Sequence, residues 1–177
     1  MGNFKEDIAR VKALVFDVDG VFTDGKITVT PDNQFVRSYN AKDGFGMKVL
    51  TSRGYRVAII TGGRGSSLLE RFRMLGVEDV YTDCFEKGKA LEDFVARKGL
   101  KYEEILYMGD DIPDIEPMSR VGVPVCPADA AVDVIRAARY VSACKGGEGC
   151  VRDIIEQVMR SQGTWFAEGY HTTLTSA

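Results

Sequence analysis

Two carboxylates one residue apart, Asp17 and Asp19, close the apolar run Ala13-Leu14-Val15-Phe16. A short continuous apolar run bounded by polar residues suits a strand covered on both faces, as in a parallel sheet. Side chains alternate along a strand, so Asp17 and Asp19 point the same way while Val18 faces the core. Two acids side by side where a buried strand ends are costly unless a cation neutralises them. Gly20 then lets the chain turn sharply beside whatever the pair holds. Taken alone, the segment also fits a surface strand end with two solvated acids. Three further polar signals at matching strand ends argue against that.

The rest of the chain repeats the theme of strand and helix. Apolar runs at Ala13–Phe16, Arg56–Ile60, Asp79–Tyr81, Ile105–Met108 and Gly122–Val125, with a weaker one at Tyr140–Val141, read as strands. Between them lie helical patterns: Phe45, Met47, Val49 and Leu50; Ser66 to Leu75; Lys89 to Lys98; Val132 to Ala138; and Val151 to Met159. Alternation at this pitch predicts right-handed crossovers and an α/β fold, a three-layer α/β/α sandwich around a mainly parallel, Rossmann-like sheet. One stretch breaks the rhythm. Gly25–Thr30 and Gln34–Tyr39 flank Pro31-Asp32-Asn33 and read as a β-hairpin flap projecting beside the acidic pair. No repeat or linker marks a second domain, so residues 1–162 are expected to form one domain and residues 163–177 a C-terminal tail.

Composition narrows the function class. With 177 residues, 45% apolar and 28% charged, the chain can bury a core without staples. A net charge of −3 and a pI near 5.3 speak against an electrostatic nucleic-acid or membrane-surface binder. Four cysteines (Cys84, Cys126, Cys144, Cys150) lack C-x-x-C spacing and are expected to be reduced thiols. Without a long apolar stretch, and with a polar, charged beginning, the expected location is cytoplasmic.

In an open α/β sheet, ligands bind outside the carboxyl ends of the strands. There the sequence places Asp17 and Asp19; Thr61-Gly62-Gly63-Arg64 after the next strand; Glu86-Lys87 past Tyr81; and Gly109-Asp110-Asp111 with Asp114. Three acids from two strands form a hard, oxygen-rich pocket suited to Mg²⁺. A hydroxyl and an ammonium beside that metal are what a transferring phosphoryl group needs. Singly, each signal has a second reading: Thr61 as a helix cap, Lys87 as a solvated lysine, the Asp110–Asp114 acids as turn residues.

The order Asp-x-Asp, Thr-Gly, Lys, Gly-Asp-Asp-x-x-Asp on successive strand ends resembles the haloacid dehalogenase superfamily of phosphohydrolases. The segments 38–46 (Ser-Tyr-Asn-Ala-Lys-Asp-Gly-Phe-Gly) and 146–153 (Gly-Gly-Glu-Gly-Cys-Val-Arg-Asp), together with the hairpin, are similar to the 3-deoxy-D-manno-octulosonate 8-phosphate phosphatases. The likeness runs from about Val11 to about Gln162. It implies an intracellular Mg²⁺-dependent phosphatase of lipopolysaccharide sugar synthesis, acting on a small sugar-acid phosphate, usually as a homotetramer. Only 42 positions separate Asp19 from Thr61, and 23 separate Lys87 from Asp110, which leaves no room for a cap domain. A neighbouring subunit is therefore expected to cover the site.

By that resemblance Asp17 is the nucleophile and Asp19 the acid/base, with Mg²⁺ on the Asp17 carboxylate, the Asp19 backbone carbonyl and Asp110. Thr61, the backbone at Gly62 and Lys87 hold the phosphoryl group, Lys87 being chosen over Lys89 by its distance from Asp110. Asp111 and Asp114 orient Lys87 and metal-bound water. Arg71 and Arg64 are candidates for the sugar acid. Gly63 stands where the family commonly carries a charged or polar residue. A nine-carbon relative carries Glu at the Gly63 position and Lys at the Met74 position; both are absent here, which favours the eight-carbon substrate. The competing readings are the nine-carbon acid 9-phosphate as substrate, a response-regulator-like phospho-acceptor, and a non-catalytic scaffold. His171, in a polar tail with Trp165 and Tyr170, is not expected to be catalytic.

Overall fold

The computed structural model describes residues 3–166, so His171 and the tail from residue 167 on lie outside the described residues. In chain order the elements are α1 (Phe4–Ile8), β1 (Ala13–Phe16), β2 (Thr28–Val29), β3 (Phe35–Val36), α2 (Ala41–Ser52), β4 (Arg56–Ile60), α3 (Ser66–Met74) and β5 (Asp79–Tyr81). Then follow α4 (Lys87–Lys98), β6 (Ile105–Met108), α5 (Ile115–Arg120), β7 (Val123–Cys126), α6 (Val132–Ala137), β8 (Tyr140–Val141) and α7 (Cys150–Ser161). Six strands make one parallel sheet in the order β5-β4-β1-β6-β7-β8, while β2 and β3 pair antiparallel as a separate hairpin.

Alternation in β1 divides the core. Leu14 and Phe16 join a cluster with Met47, Phe72 and Ile154 from α2, α3 and α7. Ala13 and Val15 face the other side, against Leu91, Met118 and Val134 from α4, α5 and α6. Both faces of the sheet are thus covered, which is why its strands are apolar throughout. On α7, Val151, Ile154, Ile155, Val158 and Met159 are buried at helical spacing against α2. Each such burial contributes about 1.5–3 kcal/mol, as an upper estimate.

The chain leaves β1 toward β4 and β5 on one side and returns through β6 to β7 and β8 on the other. The crevice outside the ends of β1 and β6 is therefore the topological switch point.

Several boundaries differ from the sequence reading. The hairpin pairs only Thr28–Val29 with Val36–Phe35, far less than the twelve residues its pattern suggested. β7 starts one residue late, at Val123, because Gly122 donates its N–H to the carbonyl of Tyr102 instead. α2 reaches back to Ala41, where Asn40 caps it by accepting the Lys42 N–H at 2.8 Å. α4 begins at Lys87, two residues before the apolar period makes it visible. α1 and α5, of five and six residues, carry no apolar period that marks them in the sequence. Trp165 packs into the core beside α7, beyond the domain boundary expected at residue 162.

Candidate active site

The end of β1 is fixed by the neighbouring strand, since Asp17 donates its N–H to the Met108 carbonyl at 3.0 Å. Its carboxylate is buried, with Oδ2 3.0 Å from Nζ of Lys87. Lys87, in the first turn of α4, reaches back under the strand tips and donates to Asp114 Oδ1 at 2.7 Å. Asp114 is fully buried and committed: Tyr107 donates its hydroxyl to Oδ1, and the backbone N–H groups of Asp110 and Asp111 point at Oδ2. Lys89 is by contrast exposed and paired with Glu86.

One oxygen each from Asp17, Asp110 and Asp114 lies within 4.8 Å of the others. Three carboxylates share this volume with one ammonium, and Oδ1 of Asp17 and Oδ1 of Asp110 are buried without a hydrogen-bond partner. Burial above all, and then the Asp114 charge, pushes the Asp17 carboxyl up to about 7, against the pull of Lys87. Burial, then Asp17 and Asp114, pushes Asp110 up to about 8. Burial works to lower Lys87, but Asp17 and Asp114 outweigh it and hold the ammonium above its ordinary value. Orphaned hard oxygens in a cluster with surplus negative charge fit a divalent cation.

Gly20 is required twice over. Its φ is +86°, and a Cβ there would lie 1.9 Å from Oδ2 of Asp110. The Gly146-Gly147 turn buttresses the same loop, because Gly147 donates its N–H to the Val21 carbonyl at 3.0 Å. That segment leads into α7, whose N-cap is Gly149, and Gly146 packs directly on the loop carrying Asp19 and Gly20.

Asp19 lines the same cavity as Asp17 and is bonded by the flap. Arg37, directly after β3, donates through Nε to Oδ1 at 2.7 Å and through Nη2 to Oδ2 at 2.9 Å. Thr61 is buried at the end of β4, its Oγ1 accepting the Gly63 N–H at 3.0 Å. It does not cap α3, whose N-cap is Gly65. With Gly62, Arg64, Cys84 and Phe85, these groups line a cavity of about 660 Å³.

Two expected residues stand apart. Asp111 lies at the rim, where its carbonyl accepts the Asp114 N–H at 2.9 Å and its own N–H points at Asp114 Oδ2; of the two acids it is Asp114 that bonds Lys87. Arg71 is not among the cavity's walls and lies over the Tyr39 ring, 5.5 Å from its centre. Conversely, Arg37 and Tyr107 escaped the sequence reading. Tyr107 sits inside an apolar run, and Arg37 depends on the hairpin folding back over the strand ends, which no local pattern encodes.

The sequence model of the haloacid dehalogenase-like hydrolases matches residues 74–154. The chain is 34% identical over 154 residues to the 3-deoxy-D-manno-octulosonate 8-phosphate phosphatase of Yersinia pestis, covering 87% of this chain and 82% of that protein. The crystal structure of that phosphatase from Yersinia pestis superposes with a TM-score of 0.89 at 33% identity, over 91% of this chain and 87% of that one. A cobalt-bound deoxy-D-mannose-octulosonate 8-phosphate phosphatase from Haemophilus influenzae is similar at a TM-score of 0.87 and 28% identity, covering 95% of this chain and 99% of the other.

Proposed function

Because the chain belongs to the 3-deoxy-D-manno-octulosonate 8-phosphate phosphatases, within the haloacid dehalogenase-like hydrolases, we propose that it hydrolyses that phosphate ester to the free sugar acid and phosphate. The observation that carries the reading is the buried nest in which Asp17 meets Lys87 beside Asp110 and Asp114. The product feeds the sugar supply of lipopolysaccharide.

Asp17 attacks phosphorus in line, forming an acyl–phosphate bond as the bond from phosphorus to the sugar oxygen breaks. Asp19 donates a proton to that departing oxygen. It then takes a proton from the water that attacks the aspartyl phosphate, releasing phosphate and restoring Asp17. Lys87, the Thr61 hydroxyl and the backbone at Gly62 hold the phosphoryl oxygens, and Asp114 keeps Lys87 aimed at them. The carboxylates of Asp17 and Asp110 and the Asp19 backbone carbonyl would hold Mg²⁺, which when bound neutralises charge between the attacking carboxylate and the phosphate.

Asp17→Asn should keep the fold and lose at least about a thousandfold in turnover. Substantial residual activity would remove Asp17 as nucleophile. Phosphate release from the eight- and nine-carbon sugar-acid phosphates, with Mg²⁺ and with chelator, tests the function itself. Release only from the eight-carbon ester, and only with metal, is expected. Preference for the nine-carbon ester would overturn the substrate, and no release from either would leave a phospho-acceptor or scaffold.

The flap and the cavity mouth expose Val29, Val36 and Phe85 to solvent, a poor surface for a monomer. This supports a homotetramer in which a neighbour covers the site and Arg71 serves that neighbour's cavity. Full activity in a strictly monomeric form would refute the arrangement. Among the described residues no helix is long and apolar enough to cross a membrane, in keeping with a cytoplasmic enzyme.

A further inference from the structure

The Arg37 side chain is 6% exposed and that of Asp19 24%, so their ion pair is largely withdrawn from water, although Arg37 rides on a flap that is otherwise exposed. Both guanidinium bonds go to the same carboxylate, one to each oxygen. A two-point fork fixes the plane of a carboxylate as well as its place, which a lysine cannot do. Room for the fork comes from Gly63. A Cβ at that position would lie 2.8 Å from Nη2 of Arg37 and 3.2 Å from Oδ2 of Asp19. Any side chain at position 63 therefore displaces the guanidinium.

Resting on the reading of Asp19 as the proton donor and acceptor, we propose that Arg37 is a positioning residue. Its guanidinium, seated in the space that Gly63 leaves, orients the Asp19 carboxylate and ties that orientation to closure of the flap. The two positions act as one device: the flap supplies the fork, and the Thr61-Gly62-Gly63 turn must stay bare to receive it. Of the other cations at the cavity, Lys87 is committed to Asp17 and Asp114, and Arg64 lies 5.8 Å from the Phe35 ring centre. Arg37 alone among these three bonds Asp19.

Misplacing a proton-transfer group by an ångström costs about a hundredfold in rate. Steady-state phosphate release from the eight-carbon ester is measured for Arg37→Ala, Arg37→Lys, Gly63→Ala, Asp19→Asn and the double variant Asp19→Asn/Arg37→Ala. Arg37→Ala should lower kcat about 10- to 100-fold while KM moves by less than about threefold. Arg37→Lys should recover only part of that loss, and Gly63→Ala should lower kcat in the same direction with every charge in place. In the Asp19→Asn background, removing Arg37 should change kcat by less than about twofold. A KM raised tenfold at unchanged kcat would make Arg37 a substrate-binding group instead. A full, additive loss in the double variant would show that it acts independently of Asp19. Either result overturns the proposal. Wild-type turnover in Asp19→Asn would sink the acid/base assignment itself, whereas an impaired Asp19→Asn beside a fully active Arg37→Ala sinks only the positioning role.

Discussion

Lys87 carries two duties that a surface lysine could not combine. It neutralises Asp17 and Asp114 at 3.0 and 2.7 Å, and it lines the cavity proposed to hold the phosphoryl group. Because the lysine and both acids are buried, removing the cation leaves carboxylates in low dielectric with nothing to offset them. Breaking a buried pair in this way costs about 3–5 kcal/mol. Lys87→Met should therefore lose that much stability to urea in metal-free buffer and lose turnover as well. Lys89→Met, on the exposed flank of the same helix, should stay within about 0.5 kcal/mol of the wild type and keep its activity. Equal losses for the two variants would move the phosphate lysine off position 87. Two residues apart, these lysines are indistinguishable by composition; the turn of α4 buries Lys87 and leaves Lys89 exposed.

At the scale of elements, α7 begins without a side-chain cap of its own, since its N-cap is Gly149. The missing acceptor comes from another helix: Asp43, in the first turn of α2, accepts the Arg152 N–H at 2.8 Å. Asp43 is fully buried and its Oδ2 lacks a partner, so burial pushes its carboxyl up to about 6 in spite of the Arg152 and Gly149 N–H groups. Between about pH 4, where the unfolded chain ionises, and about pH 6, the folded state binds the extra proton, so stability falls as pH rises and then levels off. Asp43→Asn keeps an acceptor and removes the charge. From pH 4 to pH 7 its stability relative to wild type should shift in the variant's favour by about 2 kcal/mol, read from urea unfolding at both values. A constant difference across that range would mean Asp43 is ionised throughout. Such a cap between helices is invisible in one dimension. What the sequence does reveal follows the strength of the period: β1, β4, β5, β6 and β8 fall where their apolar runs place them, and the strand tips carry Asp17, Thr61 and Asp110 to one edge. Short helices such as α1 carry too few residues to show a face. The flap's return over Asp19 and the Tyr107 bond to Asp114 depend on tertiary packing, and so they emerge only from the folded chain.

For the molecule as a whole, the sheet gathers charge faster than it supplies counter-charge. Asp17, Asp110 and Asp114 bring three carboxylates within 4.8 Å of one another, and Lys87 bonds two of them. A cation that binds only the folded form adds about 2.7 kcal/mol at a concentration one hundred times its dissociation constant. For a domain of this size that corresponds to a rise of about 5–10 °C in melting temperature. Titration with MgCl₂ should produce that rise, and chelator should reverse it. Asp110→Asn separates the metal's contribution from a general salt effect. It spares the folded state the cost of holding the Asp110 carboxyl protonated at neutral pH, so it should melt higher than wild type in metal-free buffer. It should also gain almost nothing from MgCl₂, having lost an anionic ligand from the second strand. The two melting curves would then cross as MgCl₂ is added, with wild type overtaking the variant. If Asp110→Asn gained as many degrees as wild type, the ion would be stabilising the fold from somewhere other than the tips of β1 and β6.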